Sequence, residues 1–221
     1  MDQEIHITIT DDGSPTLFHS GTGEHYHSVF GAVTESAHVF INAGLKYCLK
    51  KEISILEVGF GTGLNALLTL IEAEKSARTV FYHSIELYPL DQKYAEALDY
   101  NSFTGKKYAG LIKDIHNVPW ETEIKITNYF SLKKIYADAS KINLIDLYDV
   151  TYFDAFSPEK QPELWTDEMF LKIFNHLNIG GILTTYCSKG TVKRALRNAG
   201  FQVFILPGPH GKRHIIRAVK K

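Results

Sequence analysis

The chain is poor in the residues that mark secreted, metal-bound or membrane-embedded proteins. Only two of its 221 residues are cysteine, Cys48 and Cys187, far apart and without a CxxC pairing. A disulfide framework is thereby excluded, and buried free thiols are expected. Ten histidines are present, with His25 and His27 two apart, but no HExxH or comparable helical pair occurs, so no metal site is expected. No stretch approaches the roughly 18 consecutive apolar residues of a membrane-spanning helix. The opening Met1, Asp2, Gln3 and Glu4 lack the basic start and apolar run of a secretory signal, which makes cytoplasmic residence the expectation. Internal repeats and low-complexity segments are missing too. Acidic residues are missing after Glu168: residues 1–168 carry 14 basic and 25 acidic side chains, residues 169–221 carry 10 basic and none acidic. The near-neutral total hides a polarity that suits a phosphate-rich partner, and equally a solvated basic face balancing an acidic one.

With 44% apolar and 22% charged residues, the composition is that of an ordinary globular chain, and the length suits one large α/β domain. Apolar and β-branched runs predict strands at 53–58, 79–85, 123–127, 132–137, 150–153, 182–186, 201–206 and 214–219. Helical spacing predicts helices over 64–74, 91–100, 167–177 and 191–198, with Gly180-Gly181 breaking the third and Gly200 ending the fourth. The segments around Asn128-Tyr129-Phe130 fit a hairpin, and Pro207-Gly208-Pro209-His210-Gly211 links a closing antiparallel pair. The expected fold class is therefore α/β, a doubly wound and mostly parallel sheet with an antiparallel C-terminal hairpin. Such sheets bind ligands beyond the carboxyl ends of their strands, at the topological switch point. Gly63, Glu86, Asp138 and Asp154 all fall at or just past predicted strand ends.

Glu57-Val58-Gly59-Phe60-Gly61-Thr62-Gly63 forms the first strand-to-helix turn. Glycines at 59, 61 and 63 let backbone approach a ligand closely and present N–H groups at a helix start. The dinucleotide fingerprint needs a third glycine where Leu64 stands, and no Lys-Ser or Lys-Thr follows, so NAD, FAD and P-loop chemistry are disfavoured. A carboxylate at Glu57 would repel a pyrophosphate but suits an α-ammonium, directly or through water. Glu86 is placed to accept hydrogen bonds from ribose hydroxyls, and Asp138 from an adenine amine. Three carboxylates point to a nucleoside carrying an amino acid and net positive charge.

The run Ile55-Leu56-Glu57-Val58-Gly59-Phe60-Gly61-Thr62-Gly63-Leu64-Asn65, with Tyr136-Ala137-Asp138-Ala139 and Tyr152-Phe153-Asp154-Ala155-Phe156-Ser157-Pro158, resembles the MnmC-like methyltransferase family. Gly23-Glu24-His25-Tyr26-His27-Ser28, Gly31 to Ser36, and Lys160-Gln161-Pro162-Glu163-Leu164-Trp165 extend the likeness over nearly the whole chain. The Asp-Ala-Phe-Ser-Pro segment is its most selective part. The resemblance implies a Rossmann-like class I fold with seven strands, and S-adenosylmethionine as cofactor with S-adenosylhomocysteine as product. The cofactor would be held by Glu57, Gly59, Phe60, Gly61, Gly63, Asn65, Glu86, Asp138, Ala139 and Asp154. It implies methylation of the aminomethyl group on the wobble uridine in a tRNA anticodon loop. Larger members carry a flavin oxidase domain as well; no FAD is expected here, and a separate upstream enzyme would supply the aminomethyl group. Residues 1–50 would pack as a cover on a core of residues 51–221.

Methyl transfer to nitrogen needs the amine neutral and in line with the departing sulfur. Asp154 is the catalytic candidate, aiming the lone pair and offsetting positive charge as it develops. Phe156, Trp165 and Tyr186 are candidate walls for a splayed base. Tyr26, Glu35 and His38 are placed near cofactor or substrate by the resemblance. Two basic groups, Lys189, Lys193, Arg194 and Arg197, and Lys212, Arg213 and Arg217, are expected to contact tRNA phosphates. A methyltransferase for a small-molecule or protein amine, and a non-catalytic cofactor-binding scaffold, remain the alternatives.

Overall fold

The computed structural model describes residues 5–221; residues 1–4, considered above for a secretory start, lie outside them. The first elements form a small antiparallel sheet, β1 (Ile5–Ile9), β2 (Pro15–His19) and β3 (Glu24–His25), with β2 in the middle. Helix α1 (Ala32–Ser36) runs into a π-helical turn over Ala37–Asn42. Asp12 fastens this segment, accepting from Thr34 N at 3.0 Å and from Ser14 N at 2.9 Å.

The main body follows as β4 (Glu52–Val58), α2 (Leu64–Ser76), β5 (Thr79–Glu86), α3 (Gln92–Ala97), α4 (Asn101–Thr104), α5 (Leu111–Asn117), β6 (Glu123–Thr127) and β7 (Phe130–Tyr136). It continues through β8 (Tyr148–Phe153), α6 (Asp167–Asn175), β9 (Leu177–Thr185), α7 (Gly190–Asn198), β10 (Gln202–Pro207) and β11 (His214–Val219). The strands order as β10-β11-β9-β8-β4-β5-β7-β6 in one eight-stranded sheet. Its centre is parallel, while β6 pairs antiparallel with β7 and β11 antiparallel with both β9 and β10. The sheet has the eight strands that the sequence pattern predicts, where the resemblance implied seven; β6 is the outer half of the hairpin expected around Asn128-Tyr129-Phe130, at one edge.

Central strands of such a sheet are covered on both faces and read as continuous apolar runs. β8 is buried at every position. Alternation along β4 sends Ile53 and Ile55 to a core beneath α2 and Leu56 and Val58 to a second core beneath α6 and α7. α6 is started by Thr166, whose side chain accepts from Met169 N, with Asp167 and Glu168 in its first turn complementing the helix dipole.

Two expected boundaries are corrected. α3 stops at Ala97, because Leu98 turns to extended backbone and is buried, so the helix expected to residue 100 is shorter. α6 ends at Asn175, and Gly180-Gly181 lie inside β9, where the register against β8 shifts between the Leu177 and Ile182 pairings. Gly180 holds φ +79° there. The glycines serve a strand irregularity and do not break a helix.

From β4 the chain lays down β5 and β7 on one side, then crosses back to place β8 on the other. This reversal sets the switch point between β4 and β8, where Val58 pairs with Phe153. Residue 59 and residue 154 therefore emerge side by side.

Candidate active site

The turn after β4 is built around its glycines. Gly59, at φ +94°, lies so close to the next strand exit that a Cβ would stand 2.4 Å from the Asp154 carbonyl oxygen. Its N–H donates to Ile85 O at 2.9 Å, and Asp154 N donates to Val58 O at 2.9 Å. Gly61 and Gly63 also take positive φ, and Gly63 caps the start of α2. Above this turn opens a cavity of about 580 Å³ at the carboxyl ends of the strands. Gly59, Phe60, Gly61, Asn65, Glu86, Asp154, Phe156 and Tyr186 line it from the main sheet, and Tyr26, Glu35 and Lys212 complete the wall.

Asp154 follows the last residue of β8 and accepts from Asn65 Nδ2 at 2.8 Å. Burial pushes its carboxyl up to about 7, with Glu35 adding to the rise while Asn65 and Lys212 oppose it. Glu86 ends β5, accepts from Gly61 N at 3.1 Å and Tyr88 N at 2.8 Å, and is likewise raised by burial. Tyr26 packs edge-on to Phe156 at 5.2 Å and against Gly61. Tyr186 donates its hydroxyl to Ala155 O at 2.9 Å. Glu35 accepts from Ser28 N at 2.7 Å and pairs with Lys212.

Other expected residues lie off the cavity wall. Glu57 is fully buried beneath the turn, held by Ser84 Oγ at 2.5 Å, and its Oε1 has no hydrogen-bond partner. Asp138 is turned onto Ser140 and onto Lys141 at 2.8 Å, which hold its carboxyl down to about 2, and Ala139 is buried. Trp165 is core: it packs on Phe153 at 4.9 Å and donates Nε1 to Phe156 O at 2.9 Å. His38 bonds Pro207 O at 2.9 Å, on the C-terminal hairpin.

The basic groups divide. Lys189, Lys193, Arg194 and Arg197 do surround one open depression at the start of α7, although Lys189 is paired with Glu159. The second group does not stay together. Arg217 stacks on Tyr47 at 3.6 Å and Lys212 turns into the cavity, leaving Arg213 exposed. The reason is local: buried Glu35 needs a cation, and the Tyr186 ring face 4.1 Å from Lys212 Nζ offers it a second attraction.

Sequence reasoning missed two residues that join the N-terminal sheet to the site. His27 bonds Thr16 Oγ1 at 3.0 Å on one side and approaches Thr62 Oγ1 at 3.5 Å on the other; burial keeps it neutral, down to about 4. Glu24 accepts from Ser157 N at 3.2 Å. Both stand in the Gly23-Glu24-His25-Tyr26-His27-Ser28 motif, where two imidazoles and a carboxylate so close to a tyrosine are the available signal. Among the described residues, no group of three or more metal-ligating side chains is gathered, and no helix is long and apolar enough to cross a membrane.

A doubly wound sheet with a glycine turn, a strand-end carboxylate and a cavity at the switch point defines a class I methyltransferase that uses S-adenosylmethionine. Residues 101–221 match a family model described as S-adenosyl-L-methionine-dependent methyltransferase. MnmC2 from Aquifex aeolicus superimposes with a TM-score of 0.83 at 30% identity, over 100% of this chain and 72% of that one. The bifunctional protein MnmC of Campylobacter hominis, named for tRNA 5-methylaminomethyl-2-thiouridine biosynthesis, is 31% identical over 211 residues, 91% of this chain. That of Magnetococcus marinus is 30% identical over 210 residues. The chain belongs to the MnmC-like family of S-adenosylmethionine-dependent methyltransferases. It spans 31% of the length of those two bifunctional relatives. Spermidine synthase from Thermotoga maritima, with a TM-score of 0.62 at 16% identity, shares the fold.

The residues fit the cofactor. The cavity volume lies within the range of small-molecule sites. Gly59 has no room for a side chain, and Glu86 retains acceptor capacity toward a ribose. The unpartnered Oε1 of Glu57 leaves a buried acceptor beneath a site for a cation.

Proposed function

We propose that this protein methylates the 5-aminomethyl nitrogen of the wobble uridine in tRNA, giving 5-methylaminomethyluridine or its 2-thio form. The observation that carries the proposal is Asp154, poised near neutrality at the mouth of the switch point and held by Asn65 at 2.8 Å. A carboxylate with a pKa near the working pH can both orient an amine and accept its proton. Phe156, Tyr186 and Tyr26 supply aromatic surface beside it, suited to an unstacked base.

In this reading Gly59, Phe60, Gly61, Gly63, Asn65 and Glu86 hold the cofactor, which when bound supplies an electrophilic methyl on sulfonium. Glu57 acts from behind the turn, where a cationic ligand would favour loss of its buried proton. Asp138 and Ala139 shape the far end of the site. Of the segment 1–50, the described residues 5–50 cover the core formed by residues 51–221, with β3 and the segment leading to α1 closing the cavity. Lys193, Arg194, Arg197 and Arg213 meet the backbone of the anticodon arm. Methyl transfer is redox-neutral and calls for no flavin, the aminomethyl group comes from an upstream reaction, and the setting is cytoplasmic. Incubating aminomethyl-bearing tRNA with the protein and methyl-labelled cofactor, then analysing nucleosides by mass spectrometry, should reveal labelled 5-methylaminomethyluridine. Label in protein or metabolites but not in tRNA refutes the reading.

A further inference from the structure

The side chain of Lys212 is a charge in the cavity that the methyl-transfer chemistry leaves unused. It comes from the loop joining β10 and β11 and reaches inward, 27% exposed, to pair with Glu35, which is 8% exposed. Both Glu35 oxygens are engaged, one by Lys212 and the other by Ser28 N. The carboxylate is thus neutralised within the pair, and the ammonium stands beside it on the cavity wall. Nζ also stands 4.1 Å from the centre of the Tyr186 ring. The loop is braced in this position, since Phe30 fills the space over Gly211 and meets His210 edge-on at 5.2 Å.

We propose that Lys212 is a specificity-determining residue of the amine subsite, its fixed charge admitting the neutral amine, disfavouring the protonated one, and keeping Asp154 ionised. The inference rests on the reading of the substrate as an amine. In the transfer, the nitrogen lone pair forms the N–C bond while the C–S bond breaks and its electrons stay on sulfur. The methylated nitrogen, now an ammonium, then releases one proton, for which Asp154 is the local acceptor. A free alkylamine titrates near pH 10, like lysine, so a site that welcomed any amine would fill with unreactive ammonium at neutral pH. A neighbouring cation favours the uncharged amine and the charged carboxylate alike.

The groups facing Lys212 are Glu35 from α1, His27 from the segment before it, Asp154 after β8, and Tyr186 and Cys187 after β9. His27 is held neutral at about 4, and burial raises both Tyr186 and Cys187. Between pH 6 and 9 the charges that change beside Lys212 are therefore those of Asp154 and the substrate, while Glu57, raised to about 8 behind the turn, changes alike in wild type and variants.

The test is the pH profile of kcat on aminomethyl-bearing tRNA. In K212M the acidic limb should move up by about one unit, a roughly fivefold loss at pH 7 that recovers toward pH 9. K212R should restore the limb. Since K212M strands a buried carboxylate, the pair E35Q/K212M removes both charges; Glu35 raises the Asp154 carboxyl while Lys212 lowers it, so the limb should return toward the wild-type position. Filter-binding affinity for tRNA and its salt dependence should match wild type in all three. A K212M profile lowered evenly at every pH, or a weakened tRNA affinity with a shallower salt slope, overturns the assignment, the second by making Lys212 a phosphate contact. An active wild type beside an unshifted K212M removes only this inference; a wild type that leaves tRNA unmethylated removes the amine reading with it.

Discussion

Glu57 and Asp154 sit at the ends of adjacent strands, and burial acts on both, but only Asp154 reaches the cavity. Glu57 has no exposed surface, and burial lifts its carboxyl to about 8, with Asp154 adding to the rise and Ser84 opposing it. A carboxyl raised this far keeps its proton in the native state after the unfolded chain has lost it. Between the unfolded value near 4.5 and the folded value near 8, the native protein binds more protons, so stability falls as pH rises through that window. Glu57→Gln should remove this slope: urea denaturation at pH 6 and 8 should show wild type losing more than about 1 kcal/mol and the variant losing less. Equal losses would place the titration elsewhere. The glycine turn, Glu86 and Asp154 were legible because strand ends and turns can be read from local pattern. Asp138 was placed correctly along the chain but not in orientation, because Ser140 and Lys141, two and three residues on, capture its carboxylate.

At the scale of elements, long periodic segments were legible and short ones were not. β1 does alternate, Ile5-His6-Ile7-Thr8-Ile9, yet Ile7 and Ile9 are 44% and 65% exposed, so this edge lacks the buried face that gives a strand its signal. α4 and α5 have four and seven residues, too few for a 3.6-residue period to stand out. α5 nevertheless matters to the site. His116 near its end bonds Thr62 O at 2.9 Å and packs edge-on to Phe60 at 5.3 Å, bracing the glycine turn from outside. Burial holds its imidazole neutral, down to about 4, so one nitrogen carries the donated hydrogen throughout the physiological range. Lys134 Nζ, buried beneath Trp120 at 4.8 Å, donates to His116 O at 2.5 Å and fixes the helix end. His116→Leu keeps the bulk and deletes the bond. One hydrogen bond of about 1 kcal/mol corresponds to cofactor binding weaker by roughly fivefold, measurable by calorimetry. An unchanged dissociation constant would show that the turn holds its shape unaided.

Across the whole molecule the charge polarity in the sequence survives folding only in part. Of the seven basic side chains expected to face RNA, folding commits Lys212 to Glu35, Arg217 to Tyr47 and Lys189 to Glu159. No local pattern could have shown this, because the partners lie 177, 170 and 30 residues away in the chain. Lys193, Arg194 and Arg197 remain around one depression, carried on successive turns of α7, with Arg213 exposed on the hairpin. If these three helical cations neutralise phosphates, each releases counterions and adds about 0.7–0.9 to the slope of log affinity against log salt. The triple alanine variant should therefore bind tRNA more weakly at low salt and lose roughly two units of slope, converging on wild type as salt rises. The substitutions leave the Asp154 site intact, so kcat at saturating tRNA should hold while KM increases. Filter binding from low to moderate salt decides the matter, and parallel wild-type and variant lines would mean that the RNA rides on another face.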